Sequence, residues 1–307
     1  MRAFIFPGQG SQAVGMGMAL ADASREARAV FEEVDEALGQ KLSRLMADGP
    51  VETLTLTENA QPAIMANAIA VLRASGIDLD AKADFVAGHS LGEYSALCAA
   101  ESFDLATTAR LLRRRGEAMQ AAVPVGEGAM AALLGTDRKL AEKVAQAAAQ
   151  GEICTVANDN DPSQVVISGH RAAVERALEI AREMGAKRAI LLPVSAPFHC
   201  PLMKPAADVM AEALAEVEME APMVSLYANV TAAAVDNPQR IRELLVEQVT
   251  GLVRWRESIA AMFDAGVIHF VEFGGKVLAP MVKRTAPDAT VTSVVTPADI
   301  DALLKEI

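Results

Sequence analysis

The sequence predicts an α/β protein. A large domain on a mostly parallel sheet takes residues 1–124 and 196–307, and a small ferredoxin-like subdomain is inserted at 125–195. Three observations lead there. Short apolar runs alternate with helix-periodic segments at both ends of the chain. One such run, Phe85-Val86-Ala87, enters a Gly-x-Ser-x-Gly turn, Gly88-His89-Ser90-Leu91-Gly92, that opens a helical segment through Tyr94, Leu97 and Cys98. Between Pro124 and Pro193 the order becomes βαββαβ.

Taken in order, residues 3–6 form a strand that runs into Pro7-Gly8-Gln9-Gly10-Ser11-Gln12, where glycines let backbone N–H groups approach a ligand. Helices follow within 16–75, among them 24–38 and an apolar one over 62–72 with Asn59 as its N-cap. The turn at 88–92 reads as a strand–elbow–helix that lifts Ser90 Oγ to the top of the sheet, with helix amides behind it, which makes the large domain α/β-hydrolase-like. Glycine at 88 and 92 permits the turn and close packing of helix on strand. Helix continues to about residue 100 and again over 104–122.

The subdomain reads as strand 129–134, helix 138–150, strands 153–157 and 164–168, helix 172–184 and strand 188–192. The chain returns through Ser195-Ala196-Pro197-Phe198-His199-Cys200 to a helix at 203–217, a strand at 224–227 and helices at 238–249 and 255–265. A strand at 267–272, a Gly274-Gly275-Lys276 turn, a helix at 277–284 and a terminal strand and helix complete it.

Composition narrows the function classes. A net charge of −12 argues against a nucleic-acid partner, which needs a clustered positive field. Three cysteines, Cys98, Cys154 and Cys200, suggest reduced thiols and a cytoplasmic protein. The first residues turn to proline and glycine before a signal-peptide core could form, and no apolar run approaches the roughly 20 residues of a membrane span. Cysteines and histidines fall in no metal-ligand spacing, so no metal is expected.

A serine nucleophile needs a base and a group to orient that base. His89 points away from its neighbour on an elbow and reads as a loop-fixing residue; His170, between strand and helix, as a surface residue; His269, inside an apolar strand, as a core or flank histidine. His199 remains, stiffly mounted after two prolines. In Arg113-Arg114-Arg115, residues 100° apart on a helix cannot share a face, so the first two read as solvated and one can point inward.

The elbow through Leu97, the Phe6–Gln12 loop, Thr57-Glu58-Asn59-Ala60-Gln61-Pro62-Ala63, Arg115-Gly116, Gln164-Val165-Val166-Ile167-Ser168-Gly169 and Ala196-Pro197-Phe198-His199 together resemble the malonyl-CoA:acyl carrier protein transacylase family of type II fatty acid synthesis, which is related to polyketide synthase acyltransferase domains. The resemblance implies that Ser90 takes the malonyl group as an ester and that His199 is general base and acid. It further implies that the Gln248 backbone carbonyl orients His199, and that the N–H groups of Gln9 and Leu91 form the oxyanion hole. Arg115 would grip the malonyl carboxylate, Phe198 would crowd an α-methyl group, and Asn160 and Gln164 would line the cleft.

It also implies malonyl-CoA and an acidic acyl carrier protein as partners, no bound cofactor and a monomer. Arg188, Lys204, Lys276, Lys283 and Arg284 are candidates for the local positive charge that docking requires. The family's Gly-Pro-Gly-Lys is here Gly274-Gly275-Lys276, one residue shorter and without the proline. Alternatives stay open: a serine hydrolase using His269 with Asp236 or Asp264, a non-catalytic carrier-protein or CoA-binding module, and a malonyl transferase of polyketide or malonate metabolism.

Overall fold

The computed structural model describes residues 1–307. Its strands are β1 (Arg2–Phe6), β2 (Phe85–Gly88), β3 (Gly128–Leu134), β4 (Cys154–Asp161), β5 (Gln164–His170), β6 (Arg188–Leu191), β7 (Ser225–Ala228), β8 (Ala233–Val235), β9 (His269–Phe273) and β10 (Thr290–Val294). One sheet has the order β10-β9-β1-β2-β7-β8, parallel throughout except for β8, which returns antiparallel on β7. The sequence reading lacks that short hairpin.

Both faces of the parallel sheet are covered, so its strands are apolar on both sides. Phe4, Phe6, Val86 and Phe273 face the nearly all-buried helix Thr57–Ser75, while Ala3, Ile5, Ala87 and Phe270 face Trp255, Ile259 and Met262 of the helix Trp255–Asp264. The second sheet, ordered β4-β5-β3-β6 and wholly antiparallel, has the ferredoxin-like arrangement. Alternation splits its residues. Ala131, Leu133, Val165 and Ile167 pack on the helices Arg138–Ala149 and Arg171–Glu183, while Met130, Ala132 and Val166 join the core of the parallel-sheet domain.

Three local readings differ from the structure. Asn59 is not an N-cap: the helix starts at Thr57, directly after the helix Val51–Thr55, and the Asn59 side chain donates to the Thr53 carbonyl at 2.9 Å. β4 runs on to Asp161, well past residue 157. Bulges at Val156/Asn158 and Asp159/Asp161 break the alternation that would have marked it, and Asn158, Asp159, Asn160 and Asp161 are all buried. Arg256 and Arg284 neutralise Asp159 and Asp161 at 2.8 Å each, which fastens the subdomain to the larger one. His170 is half-buried rather than a surface residue, because its Nδ1 accepts the Ile153 N–H at 2.9 Å.

Candidate active site

At the end of β2 the chain makes its sharpest turn. A β-carbon on Gly88 would lie 1.9 Å from the Gly92 backbone, and one on Gly92 would lie 2.2 Å from the Phe6 carbonyl oxygen, so only glycine fits either position. Between them Ser90 has φ of 55°, in the left-handed region, and the helix Gly92–Ala99 begins directly behind it. Ser90 Oγ opens into a cavity of about 340 Å³ lined by Gln9, Leu91, Arg115, Asn158, Phe198 and His199 among others.

His199, itself at φ 57° and buried, brings Nε2 to 2.8 Å from Ser90 Oγ across 109 residues of sequence. Its Nδ1 lies 2.8 Å from the Gln248 carbonyl oxygen. A carbonyl only accepts, so Nδ1 carries the proton and Nε2 is left to take one from Ser90. Gln248 lies in the last turn of the helix Pro238–Thr250, where carbonyls lack helical partners and the dipole is negative, a setting that favours an imidazolium when it forms. Burial, with the Arg115 charge second, pushes the His199 pKa down to about 3, so the ring is neutral and ready as a base.

Arg115 is the inward member of its arginine trio, buried with its guanidinium 5.7 Å from the centre of the Tyr94 ring. Its hydrogen bonds go to neutral acceptors only: Gln61 Oε1 at 2.8 Å, Gln248 Oε1 at 2.8 Å and Ser90 Oγ at 3.0 Å. Nε has no partner, and burial lowers the pKa of the group. Such a cation is short of an anion. Arg114 is half-exposed and pairs with Glu216 at 3.0 Å. Arg113 is half-buried rather than solvated, because its helix packs on the helix Arg25–Leu38 and the side chain donates to Gln40 Oε1 at 2.6 Å.

No backbone or side-chain acceptor takes the N–H of Gln9 or of Leu91, and both residues face the cavity with Ser90. Asn160 and Gln164 do not line it. Asn160 is turned by the bulges in β4 so that Oδ1 meets His89 Nε2 at 2.8 Å, and Gln164 opens β5 opposite Leu134; Asn158 is the polar residue that β4 presents to the cavity. His89, tilted against the Trp255 ring, thus links elbow to subdomain. His269 opens β9 at the amino end of the parallel strands, opposite the end that carries Ser90, paired with Arg2 at the start of β1 and bonded to Thr292 at 2.9 Å. His269 is thereby ruled out as the base for Ser90, which removes the His269-based hydrolase arrangement the sequence left open.

Of the five candidate docking cations, Lys204 pairs with Asp208, Lys283 donates to the Ala289 carbonyl and Arg284 is engaged by Asp161, whereas Arg188 and Lys276 are exposed and in no ion pair. The shortened loop before Lys276 is fixed in place: Asn67 donates to the Gly274 carbonyl at 2.9 Å, and a β-carbon on Gly274 would lie 2.6 Å from Ala68 Cα.

Residues 3–295 match the family model of the acyl transferase domain. The chain is 45% identical to the malonyl CoA-acyl carrier protein transacylase of Bacillus subtilis, over 99% of this chain and 96% of that one. It belongs to the malonyl CoA-acyl carrier protein transacylase family. Among solved structures, the acyl-carrier-protein-S-malonyltransferase of Bartonella henselae is 53% identical to this transacylase, covering 99% of its chain and 98% of its own with a TM-score of 0.97. A malonyl-transacylase in complex with its type II PKS acyl-carrier protein is 39% identical, covering 100% of this chain and 99% of that one with a TM-score of 0.96.

Sequence reasoning missed the side chains of Gln61, Gln248, Glu93 and Asn229 that surround this site. The one local signal for Asn229 is its place just past the carboxyl end of β7, where sites in parallel sheets form.

Proposed function

We propose that this transacylase moves a malonyl group from malonyl-CoA to the phosphopantetheine thiol of an acyl carrier protein, in the supply of fatty acid synthesis, through a malonyl ester on Ser90. The observation that carries the reading is Arg115, a buried guanidinium with only neutral partners, 3.0 Å from Ser90 Oγ. A free carboxylate on the acyl chain is the anion it lacks, and a guanidinium can hold one bidentately.

In the first half-reaction Ser90 Oγ attacks the thioester carbonyl while His199 Nε2 takes its proton, and the N–H groups of Gln9 and Leu91 receive the developing oxyanion. Each such donor is typically worth about 3–4 kcal/mol in the barrier. Collapse expels the CoA thiolate, which takes the proton back from His199. The carrier thiol then repeats the sequence in reverse on the ester. A malonyl carboxylate on Arg115 offsets the charge that depresses His199, so the base strengthens when the acyl group is in place. Phe198, on the cavity wall, disfavours an α-methyl branch, worth about 1–3 kcal/mol.

The reaction so written uses no cofactor. No helix is long and apolar enough to cross a membrane, and the reading places a monomer in the cytoplasm.

Intact mass after mixing with malonyl-CoA tests the proposal. The expected result is a single malonyl adduct, discharged by holo carrier protein much faster than by water. An adduct lost at the same rate with and without carrier would make the protein a hydrolase and overturn the reading. For Arg115→Ala, malonyl transfer is expected to fall by about two orders of magnitude or more, with relative tolerance for acetyl-CoA rising, since the variant loses a charge-assisted bidentate contact. Unchanged malonyl-over-acetyl preference would remove Arg115 from the substrate site.

A further inference from the structure

The left-handed conformation of Ser90 is unfavourable for a residue with a β-carbon, so the surrounding structure must impose it. Asn229, fully buried just past the end of β7, reaches both sides of the turn. Its Oδ1 accepts the Ser90 N–H at 2.8 Å and its Nδ2 donates to the Gly88 carbonyl at 2.7 Å. Asn229 is itself held: its backbone N–H donates to Glu93 Oε2 at 3.1 Å, and its carbonyl accepts the Arg254 N–H at 2.9 Å.

Glu93 Oε2 also accepts Gln248 Nε2 at 2.8 Å. That amide donates to the Ser90 carbonyl at 3.0 Å, and its Oε1 takes Arg115 Nη2 at 2.8 Å. A flipped amide would set NH₂ against the Arg115 guanidinium and oxygen against the Ser90 carbonyl and the Glu93 carboxyl, so Glu93 is one of three contacts that fix which way Gln248 points. Glu93 therefore reaches Ser90 and Arg115 through one intermediary each and touches neither reacting group.

We propose that Asn229 and Glu93 are positioning residues for acyl transfer: Asn229 clamps Ser90 in its left-handed conformation, and Glu93 fixes both that clamp and the Gln248 amide that orients Arg115. The inference rests on Ser90 as the acylated residue. A carboxyl that is 1% exposed, with Oε1 unpartnered, adds little to folding stability; what it supplies is orientation. Burial pushes its pKa up to about 7 against the opposing pull of Gln248, so near neutrality much of it is uncharged, and an uncharged carboxyl still accepts. The role is that of an acceptor.

Three variants and two readouts test this. Asn229→Ala is expected to lower the rate of Ser90 acylation by malonyl-CoA about 100-fold, the scale of a misplaced nucleophile. KM should move by no more than about threefold and the malonyl-over-acetyl preference should hold, since Arg115 keeps both glutamines. Glu93→Gln, whose amide oxygen can replace Oε2, should stay within about threefold of the wild type, and Glu93→Ala should lose about 10- to 100-fold. The rate at which a fluorophosphonate labels Ser90 should fall in the same order, with each variant folded by circular dichroism.

Wild-type rates in folded Asn229→Ala would overturn the clamp. Glu93→Gln as impaired as Glu93→Ala would overturn the acceptor role. The Glu93 pair carries the test if Asn229→Ala does not fold. Because the fluorophosphonate reports Ser90 without malonyl-CoA, failure of the wild type to take up malonyl would overturn the proposed function, while normal labelling of Asn229→Ala would overturn only this inference.

Discussion

Ser90→Ala is expected to show no malonyl adduct by intact mass and to lose transfer to the carrier protein by about 10⁴-fold or more, the scale seen when a nucleophile is removed from a preorganised acyl-transfer site. The loss should come without unfolding. Alanine meets the same left-handed φ as serine, the two glycines that permit the turn are untouched, and the Ser90 N–H and carbonyl keep Asn229 and Gln248 as partners. Circular dichroism and a melting temperature within a few degrees of the wild type would separate lost chemistry from lost fold. An adduct of unchanged size on the variant would place the ester elsewhere, and the site built around this elbow would fall with it.

His199→Ala is expected to slow acylation of Ser90 by about 10³-fold, within the range that a positioned general base contributes, and to slow discharge to the carrier by a similar factor, because the same nitrogen serves both half-reactions. Substrate capture should suffer less, since Arg115, Gln9 and Leu91 remain. Single-turnover acylation across malonyl-CoA concentrations separates the two effects; a large rise in the concentration needed with an unchanged limiting rate would make His199 a binding residue.

The base also predicts a pH profile. Its pKa in the fold is about 3, against an ordinary 6.5. The neutral, competent form therefore persists well below pH 6.5, and kcat/KM for malonyl-CoA, which reports the free enzyme, should show no loss of this base between pH 8 and 5. A fall with its midpoint near 6.5 would mean an ordinary imidazole and would sink this account of the site. The same depression works against stability: as pH falls from 6.5 toward 3 the unfolded chain binds a proton that the folded chain refuses, so stability drops across that window.

Local chemistry made much of this molecule legible. The α/β class, the ferredoxin-like insertion and the elbow follow from strand and helix periods, from turn residues and from two positions that tolerate only glycine, all patterns within a few residues of one another. Where the pattern is broken the reading broke too. β4 continues through four buried polar residues because bulges redirect them: distant partners, Arg256, Arg284 and His89, satisfy Asp159, Asp161 and Asn160, while Asn158 faces the cavity, and no run of Asn and Asp announces such partners. Asn160, expected on the cleft wall, lies off the cavity for the same reason, and Gln164, expected there too, opens β5 opposite Leu134.

By itself the sequence determined the nucleophile elbow, the stiff mounting of His199 and the odds that one arginine of three turns inward. Only the tertiary structure decided that these meet. Ser90 and Asn229 are 139 positions apart and Ser90 and Gln248 158, so their contacts exist only once β2, β7 and the helix Pro238–Thr250 are packed side by side. A periodic pattern is a property of neighbours along the chain; a hydrogen bond between buried groups is a property of neighbours in space, and folding is what makes the second from the first.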